Sequence, residues 1–289
     1  MIFNKLFDTG KTGPKVVFFG AIHGNEYCGS LAIKKIIGDL ESSSLNLIYG
    51  SVLFVPICNQ EAQSKNVRFI DEDLNRIFRK TDTPKSHEEV LANELTTFID
   101  QSDILLDIHS MQAEGPVNIF VDFPTIENRK FAKALGAPYA ILGWPELYTN
   151  KGQGLVSYDT TAYTNKVGKI GILIECGQHS DPKAVDVAYD AIIRTLADFN
   201  VISDIGNKSV VNIDMKEITM TDLFIKNAEG DHFVSEWKHL DKVSVGQVIA
   251  ERETGEKILA NYDCVMVLPK LKGLVGREWF YLGKILGFL

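Results

Sequence analysis

Residues Lys15-Val16-Val17-Phe18-Phe19-Gly20-Ala21-Ile22-His23-Gly24-Asn25-Glu26 place polar side chains directly after an apolar run. The apolar part is typical of a buried parallel strand, and the helix-like run Tyr27 to Leu40 follows it. Open α/β proteins bind their ligands at the carboxyl edge of such strands, where His23 and Glu26 would lie. Their spacing allows an imidazole nitrogen and a carboxylate oxygen to converge on one Zn²⁺, and Gly24 allows a tight turn. The stretch predicts a metal-binding loop that needs a third ligand, although both side chains could instead cap the following helix.

A second histidine occupies the same kind of position later in the chain. Asp107-Ile108-His109-Ser110 follows the apolar run Ile104-Leu105-Leu106, so His109 also leaves the end of a predicted strand. Two histidines with one carboxylate form a known catalytic zinc set, in which the fourth position stays open for water or substrate. We therefore predict one Zn²⁺ per chain.

Composition and charge exclude several classes of protein. The 289 residues suffice for one large domain with a small one, and the 45% hydrophobic and 24% charged fractions are ordinary for a globular protein. A net charge of −8 argues against nucleic-acid binding, because no basic stripe could neutralise phosphates. No apolar run approaches the roughly 20 residues that span a bilayer, and Met1 to Gly13 lacks the layout of a secretion signal. We expect a cytoplasmic protein with no nucleic-acid or membrane partner.

The cysteines carry no sign of a metal or disulfide framework. They lie far apart and form no Cys-x-x-Cys pair. We interpret all of them as small buried hydrophobic residues: Cys28, Cys58, Cys176 and Cys264.

The hydrophobic pattern predicts an α/β fold up to about Asn200. Short apolar runs alternate with helical patterns, which is typical of a mostly parallel sheet with helices on both faces. The predicted strands are Lys15 to Phe19, Ser51 to Ile57, Ile104 to Ile108, Val117 to Val121, Tyr139 to Leu142 and Lys169 to Ile174. The predicted helices are Glu26 to Leu40, Ser86 to Ile99, Ile126 to Leu135 and Pro182 to Phe199. After Asn200, short alternating segments with turn-like glycines predict a small all-β domain, so we divide the chain into residues 1–204 and 205–289.

Two further elements carry charged residues that could take part in catalysis or in substrate binding. The loop Asn66 to Arg79 is long and polar, and its arginines Arg68 and Arg76 could anchor carboxylates or the oxyanion of a tetrahedral intermediate, or could simply be surface cations. Glu175 ends the apolar run Gly171 to Ile174. Burying a charged residue in such a position is costly, so the residue usually has a function. Beside zinc-bound water, its carboxylate could remove a proton and later deliver it to a leaving amine. We predict Glu175 as the general base and acid.

Four separated motifs occur in a fixed order: His23-Gly24-Asn25-Glu26, Asp73-Leu74-Asn75-Arg76, Asp107-Ile108-His109 and Ile174-Glu175-Cys176-Gly177. In these motifs the sequence resembles the succinylglutamate desuccinylase and aspartoacylase family, relatives of the zinc carboxypeptidases. The resemblance spans nearly the whole chain, and the short interval between the first and third motifs is that of the acylases. It implies a zinc-carboxypeptidase-like fold with a mixed, mostly parallel sheet flanked by helices. It also implies that the small β domain narrows the entrance to the pocket.

The resemblance also implies a role for each matching residue. His23, Glu26 and His109 would be the zinc ligands, and Arg68 would polarise the scissile carbonyl. Asn75 and Arg76 would hold a substrate carboxylate, and Glu175 would be the catalytic acid and base. Aspartoacylases carry an additional arginine shortly before the catalytic glutamate, whereas Tyr158 to Ile174 contains none. This departure argues against N-acetylaspartate as the substrate.

We predict a zinc-dependent hydrolase that cleaves the amide bond of an N-acyl amino acid or a similar small carboxylate-bearing amide or ester. One alternative is a carboxypeptidase-like enzyme acting on short peptides, which a closed entrance would disfavour. Another is a catalytically silent zinc-binding or ligand-binding protein, which the full ligand set and Glu175 argue against. Homo-oligomerisation stays open.

Three of the other histidines and two tyrosines are weaker candidates for the site. His179 could line the pocket, whereas His232 and His239 are predicted at the surface of the β domain. Tyr158 and Tyr281 could reach the pocket, on the family resemblance alone.

Overall fold

The structure is a computed structural model that describes residues 1–152, 158–203 and 214–288. The helices of this part of the chain are α1 (Tyr27–Glu41), α2 (Gln60–Ser64), α3 (Leu74–Ile77), α4 (His87–Asp100), α5 (Ile126–Leu135), α6 (Trp144–Lys151), α7 (Thr160–Lys166) and α8 (Lys183–Asp198). Its strands are β1 (Lys5–Asp8), β2 (Lys15–Gly20), β3 (Ser51–Val55), β4 (Ile104–Met111), β5 (Asn118–Phe120), β6 (Tyr139–Leu142), β7 (Ile170–Gln178), β8 (Lys216–Ile225), β9 (His232–Phe233), β10 (Lys242–Val243), β11 (Val248–Glu251), β12 (Lys257–Leu259), β13 (Cys264–Val267) and β14 (Glu278–Phe288).

The large sheet has a mainly parallel centre, as predicted. Its strand order is β1-β3-β2-β4-β7-β5-β6-β8-β14-β13-β10, and β3, β2, β4 and β7 run parallel to one another. Both faces of this centre are covered, because alternate residues of one strand enter different cores. On β2, Val16 and Phe18 join the core that includes α1 and α8, while Val17 and Phe19 join the core that includes α4. Burial on both faces explains the continuous apolar run of this strand.

The predicted strands and helices of the α/β part all form, but two strands run further than the apolar pattern indicated. β4 extends past His109 to Met111, and β7 extends past Glu175 to Gln178. The extra residues stay in the ladder, since His109 pairs with Glu175 in the parallel register. Predicting the end of a strand at its first polar residue therefore makes both strands too short.

Local residues define the ends of two helices. Ser86 and Glu89 form a capping box at the start of α4. Gly136 ends α5 in the left-handed conformation, with φ of 70°.

The C-terminal strands form a small β region that continues the large sheet. β8 pairs with β6 in parallel, and β14, β13 and β10 follow in antiparallel pairs. β12, β11 and β9 form a separate three-stranded sheet. The predicted boundary between residues 204 and 205 lies outside the described residues, so the division into two domains stays a prediction. Among the described residues, none of the helices combines the length and apolar character that crossing a membrane requires.

The prediction for His239 was wrong, whereas that for the cysteines is confirmed. His239 is only 2% exposed, and its Nδ1 accepts a hydrogen bond from the Leu268 amide at 3.0 Å. Burial lowers the pKa of this imidazole to about 3. Its amide also binds the Glu114 carbonyl, a contact with the α/β part that local sequence cannot reveal. All four cysteines are buried and free.

Candidate active site

The three predicted metal ligands come together in one buried cluster. His23, Glu26 and His109 are each at most 3% exposed, and one ligand atom from each lies within 4.8 Å of the others. His23 and Glu26 follow β2, while His109 lies in β4, the parallel neighbour of β2. The carboxyl ends of these strands meet at one edge of the sheet, which brings together residues more than eighty positions apart.

The loop after β2 directs both of its predicted ligands toward the same point. The Glu26 amide donates to the His23 carbonyl at 3.1 Å, which closes a turn between them. Gly24 is required because a Cβ there would lie 2.1 Å from the backbone of Ala62 in α2. Glycine is needed at this position because the two backbone segments approach closely, and not only because the turn is tight. Glu26 stands at the N-cap of α1, but its side chain makes no capping hydrogen bond, so capping does not account for it.

Glu26 lies between the two imidazoles. Its Oε1 is 2.9 Å from Nδ1 of His23, and its Oε2 is 2.9 Å from Nδ1 of His109. The Ser110 amide donates to the same Oε2 at 3.0 Å. Burial acts to raise the pKa of Glu26, but the two histidines outweigh it and hold this pKa well below its usual range. The carboxylate is therefore the form present near neutral pH.

Each histidine has a second carboxylate on its other ring nitrogen. Nε2 of His23 lies 3.0 Å from Oδ1 of Asp73, and Nε2 of His109 lies 2.9 Å from Oδ2 of Asp107. These contacts fix both rings so that their Nδ1 atoms face Glu26, the arrangement that carboxylate partners give metal-binding histidines. Neither aspartate was predicted to have a role. The usable signal was a charged residue two positions before His109 on a strand, and therefore on the same face.

Arg68 lies beside the predicted metal ligands. Its Nε donates to Oδ2 of Asp73 at 2.8 Å, and one terminal nitrogen lies 3.3 Å from Oε1 of Glu26. Its side chain is 27% exposed and lines the same pocket as the ligands. Its action on the scissile carbonyl stays a prediction.

Asn75 and Arg76 also line the pocket, but Arg76 has an unexpected partner. Its Nε donates to Oε1 of Glu278 at 2.6 Å, and its guanidinium lies over the rings of Trp144 and Tyr148. Asn75 approaches His109, with 3.3 Å between the side-chain nitrogen and Nε2. Arg76 is thus held in place before any substrate binds. Its contact with a substrate carboxylate stays a prediction.

Glu278 begins β14 and connects the C-terminal β region to the site. Tyr148 donates to its Oε1 at 2.5 Å, and Nζ of Lys270 lies 3.3 Å from its Oε2. Burial acts to raise the pKa of Glu278, but Arg76 and Lys270 outweigh it and lower this pKa well below its usual range. Glu278 is not predictable from the sequence, because no nearby residue marks it as a partner of the distant loop that contains Arg76.

Glu175 enters the pocket from β7 as a carboxylate with unused hydrogen-bonding capacity. It is 8% exposed, and its Oε2 has no hydrogen-bond partner among the described residues. Burial first, and then the negative charge of Glu26, raise the pKa of Glu175 to about 8. A buried carboxyl group with a pKa near neutrality, beside the predicted metal ligands, suits proton transfer.

The remaining pocket wall is divided between polar and apolar residues. His179 lines the pocket, and its Nδ1 lies 2.9 Å from the Ser110 hydroxyl. Tyr281 lines it as well, together with Leu268 and Lys270 from the C-terminal β region, whereas Tyr158 is exposed and is not among the lining residues. A further group of lining residues was not predicted: Phe120, Asp122, Trp144, Asp159 and Leu173.

Comparisons with known proteins identify one family. The family model described as the succinylglutamate desuccinylase/aspartoacylase catalytic domain matches residues 12–197. The N-alpha-acetyl-L-2,4-diaminobutyric acid deacetylase of Halomonas elongata is 26% identical over 221 residues, which cover 71% of this chain and 61% of that protein. The chain therefore spans about three fifths of the length of this curated relative.

Solved structures show the same fold. A succinylglutamate desuccinylase/aspartoacylase from Rhodobacter sphaeroides superposes with a TM-score of 0.77 at 17% identity, covering 98% of this chain and 88% of that one. The product-bound ectoine utilization protein EutE from Ruegeria pomeroyi gives a TM-score of 0.75 at 19% identity, covering 97% and 88%.

Proposed function

Because the chain belongs to the succinylglutamate desuccinylase/aspartoacylase family, we propose that it is a zinc-dependent hydrolase that removes the acyl group from an N-acyl amino acid. The observation that carries the proposal is Glu175, a buried carboxyl group with an unpartnered oxygen in the same pocket as His23, Glu26 and His109. A structural carboxylate would be expected to use that oxygen in a hydrogen bond.

The donor set fits zinc. Two imidazoles and one carboxylate form a donor set that zinc accepts in catalytic sites, and one atom from each already lies within 4.8 Å of the others. His23, Glu26 and His109 would hold the ion, with Asp73 and Asp107 orienting the two rings. A bound zinc ion would polarise the scissile carbonyl and the attacking water, and would favour the carboxylate form of Glu175.

In this proposal Glu175 carries out the proton transfers and Arg68 stabilises the developing negative charge. Glu175 accepts a proton from the water that attacks the carbonyl carbon, and returns it to the amine nitrogen when the carbon–nitrogen bond breaks. Arg68, beside Glu26, donates hydrogen bonds to the carbonyl oxygen as negative charge develops there. The products are a free carboxylic acid and an amino acid.

Asn75 and Arg76 bind the carboxylate of the amino acid in this proposal. Arg76 lines the pocket and is fixed by Glu278 and two aromatic rings, so ordering its side chain adds little to the cost of binding. The pocket contains no further arginine for a second carboxylate among its described lining residues. A neutral or cationic amino-acid side chain therefore suits it better than that of aspartate.

Two alternatives compete with the deacylase. A carboxypeptidase-like enzyme would need space for an extended chain, whereas Leu268, Lys270 and Tyr281 of the C-terminal β region line the pocket and favour a small substrate. A catalytically silent binding protein would not need Glu175. The small-molecule partner, the cytoplasmic location and the absence of nucleic-acid and membrane partners also remain proposals.

A substrate screen tests the proposal. Zinc-loaded and metal-stripped protein would be assayed on a panel of N-acyl amino acids and dipeptides by following the release of free amine. We expect hydrolysis of N-acyl amino acids that needs the metal and is lost in Glu175→Gln, but is retained in the exposed control Glu256→Gln. Cleavage of dipeptides alone would favour the peptidase. A zinc-loaded protein that hydrolyses neither class would overturn the proposal.

A further inference from the structure

Glu88 is a buried acidic residue outside the pocket, and it binds the loop that contains Arg68. It is the second residue of α4 and has 0% exposure. Its own helix does not need it, because Ser86 and Glu89 form the capping box of α4. Glu88 is also absent from the described lining residues of the pocket. Burying a carboxylate is costly unless donors satisfy it, so its partners indicate its role.

Four donors converge on the two oxygens of Glu88. Oε1 accepts hydrogen bonds from the Ile70 amide at 2.8 Å and from the side-chain nitrogen of Asn59 at 2.9 Å. Oε2 accepts hydrogen bonds from the amides of Asp71 and Glu72 at 3.0 and 3.1 Å. Three consecutive backbone amides around one anion form a nest of the kind that binds anions in loops. Here the anion belongs to the protein, so the carboxylate holds the backbone of this segment in place.

The segment that Glu88 holds lies between two residues of the site. Arg68 precedes residues 70–72 by two positions, and Asp73 follows them directly. Asp73 accepts a hydrogen bond from Nε of Arg68 at 2.8 Å, and its other oxygen lies 3.0 Å from Nε2 of His23. A shift of the segment would therefore move both the guanidinium proposed to act on the scissile carbonyl and the carboxylate that orients a predicted zinc ligand.

Asn59 extends the contacts of Glu88 to the loop after β2. Its Oδ1 caps α2 by accepting a hydrogen bond from the Ala62 amide at 3.1 Å, while its side-chain nitrogen is bound to Glu88. The backbone of Ala62 lies against Gly24, where a Cβ would approach it to 2.1 Å. The Gly24 amide in turn donates to the Arg68 carbonyl at 3.2 Å. Glu88 thus connects the two loops that supply charged groups to the pocket.

The side chain of Arg76 is held by different contacts. Its guanidinium is bound to Glu278 of β14 and lies over two aromatic rings of α6. None of these contacts involves Glu88. Loss of the Glu88 carboxylate should therefore disturb Arg68 more than Arg76. In the proposed mechanism this difference separates stabilisation of the transition state from binding of the substrate carboxylate.

We propose that Glu88 is a positioning residue of the hydrolytic reaction, which fixes the backbone of residues 70–72 so that Arg68 and Asp73 reach the predicted zinc ligands. It acts through these two residues and touches neither the substrate nor the ligands. The inference rests on the proposed function for the role of Arg68. Its effect on zinc, through Asp73 and His23, needs only the predicted ligand set.

Glu88→Gln tests this role in the zinc-loaded protein. Glutamine replaces one acceptor oxygen by an amino group, which would point its hydrogens at other N–H groups of the nest. We expect kcat to fall by roughly 10- to 100-fold with little change in KM, and the zinc affinity, measured by competition with a chelator, to fall by roughly 10-fold. The control Glu89→Ala, in the same turn of α4, breaks the capping box. It should lower Tm but keep kcat, KM and the zinc affinity.

A double-mutant cycle distinguishes positioning from a general loss of structure. If Glu88 acts on kcat through Arg68, adding Glu88→Gln to Arg68→Ala should change kcat by no more than roughly twofold. Independent effects of the two substitutions would instead multiply, and this result would overturn the proposal.

Hydrogen exchange in the wild type keeps the proposal testable even if Glu88→Gln does not fold. The amides of Ile70, Asp71 and Glu72 should exchange slowly in the wild type, with or without zinc, and roughly 10-fold faster or more in the folded variant. Unprotected exchange of these amides in the wild type would show that Glu88 does not hold the segment.

These measurements separate failure of this inference from failure of the proposed function. If the wild type hydrolyses no N-acyl amino acid, the proposed function fails, while a weakened zinc affinity in Glu88→Gln still supports the positioning role. If the wild type is active and folded Glu88→Gln keeps the wild-type kcat and zinc affinity, the positioning role is wrong.

Discussion

Replacing Glu175 by glutamine should reduce turnover while making the metal-free protein more stable at high pH. The change is nearly isosteric and removes only the ionisable group. In the zinc-loaded enzyme we expect turnover to fall by roughly 10²-fold or more, the scale of losing a positioned proton-transfer group. Zinc content should not change, because Glu175 is not among the predicted ligands.

The stability effect follows from the raised pKa of Glu175. Folding of the metal-free protein raises this pKa from 4.5 to about 8. The contribution of the group to stability is therefore present below pH 4.5 and is lost as the pH rises through 8. Between pH 5 and pH 9 this loss amounts to about 4 kcal/mol. Glutamine has no charge to bury, so the variant should gain about this much relative to the wild type over the same interval.

Thermal unfolding of metal-free wild type and Glu175→Gln at pH 5, 7 and 9 measures the effect. A gain of about 4 kcal/mol corresponds to a relative rise in Tm of roughly 8 to 16 °C across this range. The exposed control Glu256→Gln should follow the wild type at every pH. Rates of the zinc-loaded proteins complete the comparison.

The opposite result would refute the reasoning. If Glu175 were half of a buried ion pair, glutamine would leave a cation unpaired and lower stability by roughly 3 kcal/mol or more at neutral pH. A large drop in Tm with normal activity per folded molecule would therefore show a structural role. A stability difference that does not depend on pH would show that the carboxyl group is not held protonated by its surroundings.

Three further predictions concern the rest of the site. His109→Ala should lose stoichiometric zinc, and metal analysis that finds full zinc at undiminished affinity would contradict the ligand assignment. Arg76→Ala should mainly raise KM, whereas Arg68→Ala should lower kcat by roughly 10²-fold or more, and steady-state kinetics with equal effects on KM alone would remove this distinction. Glu278→Gln should destabilise the protein by roughly 3 to 5 kcal/mol at pH 7, because it leaves Arg76 without its buried partner. Since the pKa of Glu278 is lowered, this loss should shrink as the pH falls through the acidic range in denaturation experiments, and a constant loss would exclude the ion pair as its cause.

Local sequence was sufficient to predict that His23, Glu26 and His109 meet, because their positions follow from strand ends. The apolar runs before His23, His109 and Glu175 mark buried strands, and parallel strands of one sheet end at a shared edge. The structure brings these three residues into one pocket. The capping box of α4 is also a local feature, since the side chains of Ser86 and Glu89 each hydrogen-bond to the backbone of the other residue within one helical turn.

Contacts between residues that are distant in the chain could not be predicted from the hydrophobic pattern. Glu278 binds Arg76 across 202 residues, and nothing near either residue marks the other as its partner. Asp122 looks like an ordinary polar residue after a strand, and only the antiparallel pairing of β5 with β7 places it in the same pocket as Glu175. The burial of His239 depends in the same way on a contact with the α/β part.

By itself, the sequence determined the α/β class, the mainly parallel centre and the residues that meet at its carboxyl edge. Hydrophobic periodicity and polar residues at strand ends are local properties, so they remain visible along the chain. Only the tertiary structure decided the strand order, the continuation of the sheet into the C-terminal β region, and the charges that surround the predicted ligands. These features depend on which charged and polar side chains pair across the fold, as Glu278 pairs with Arg76.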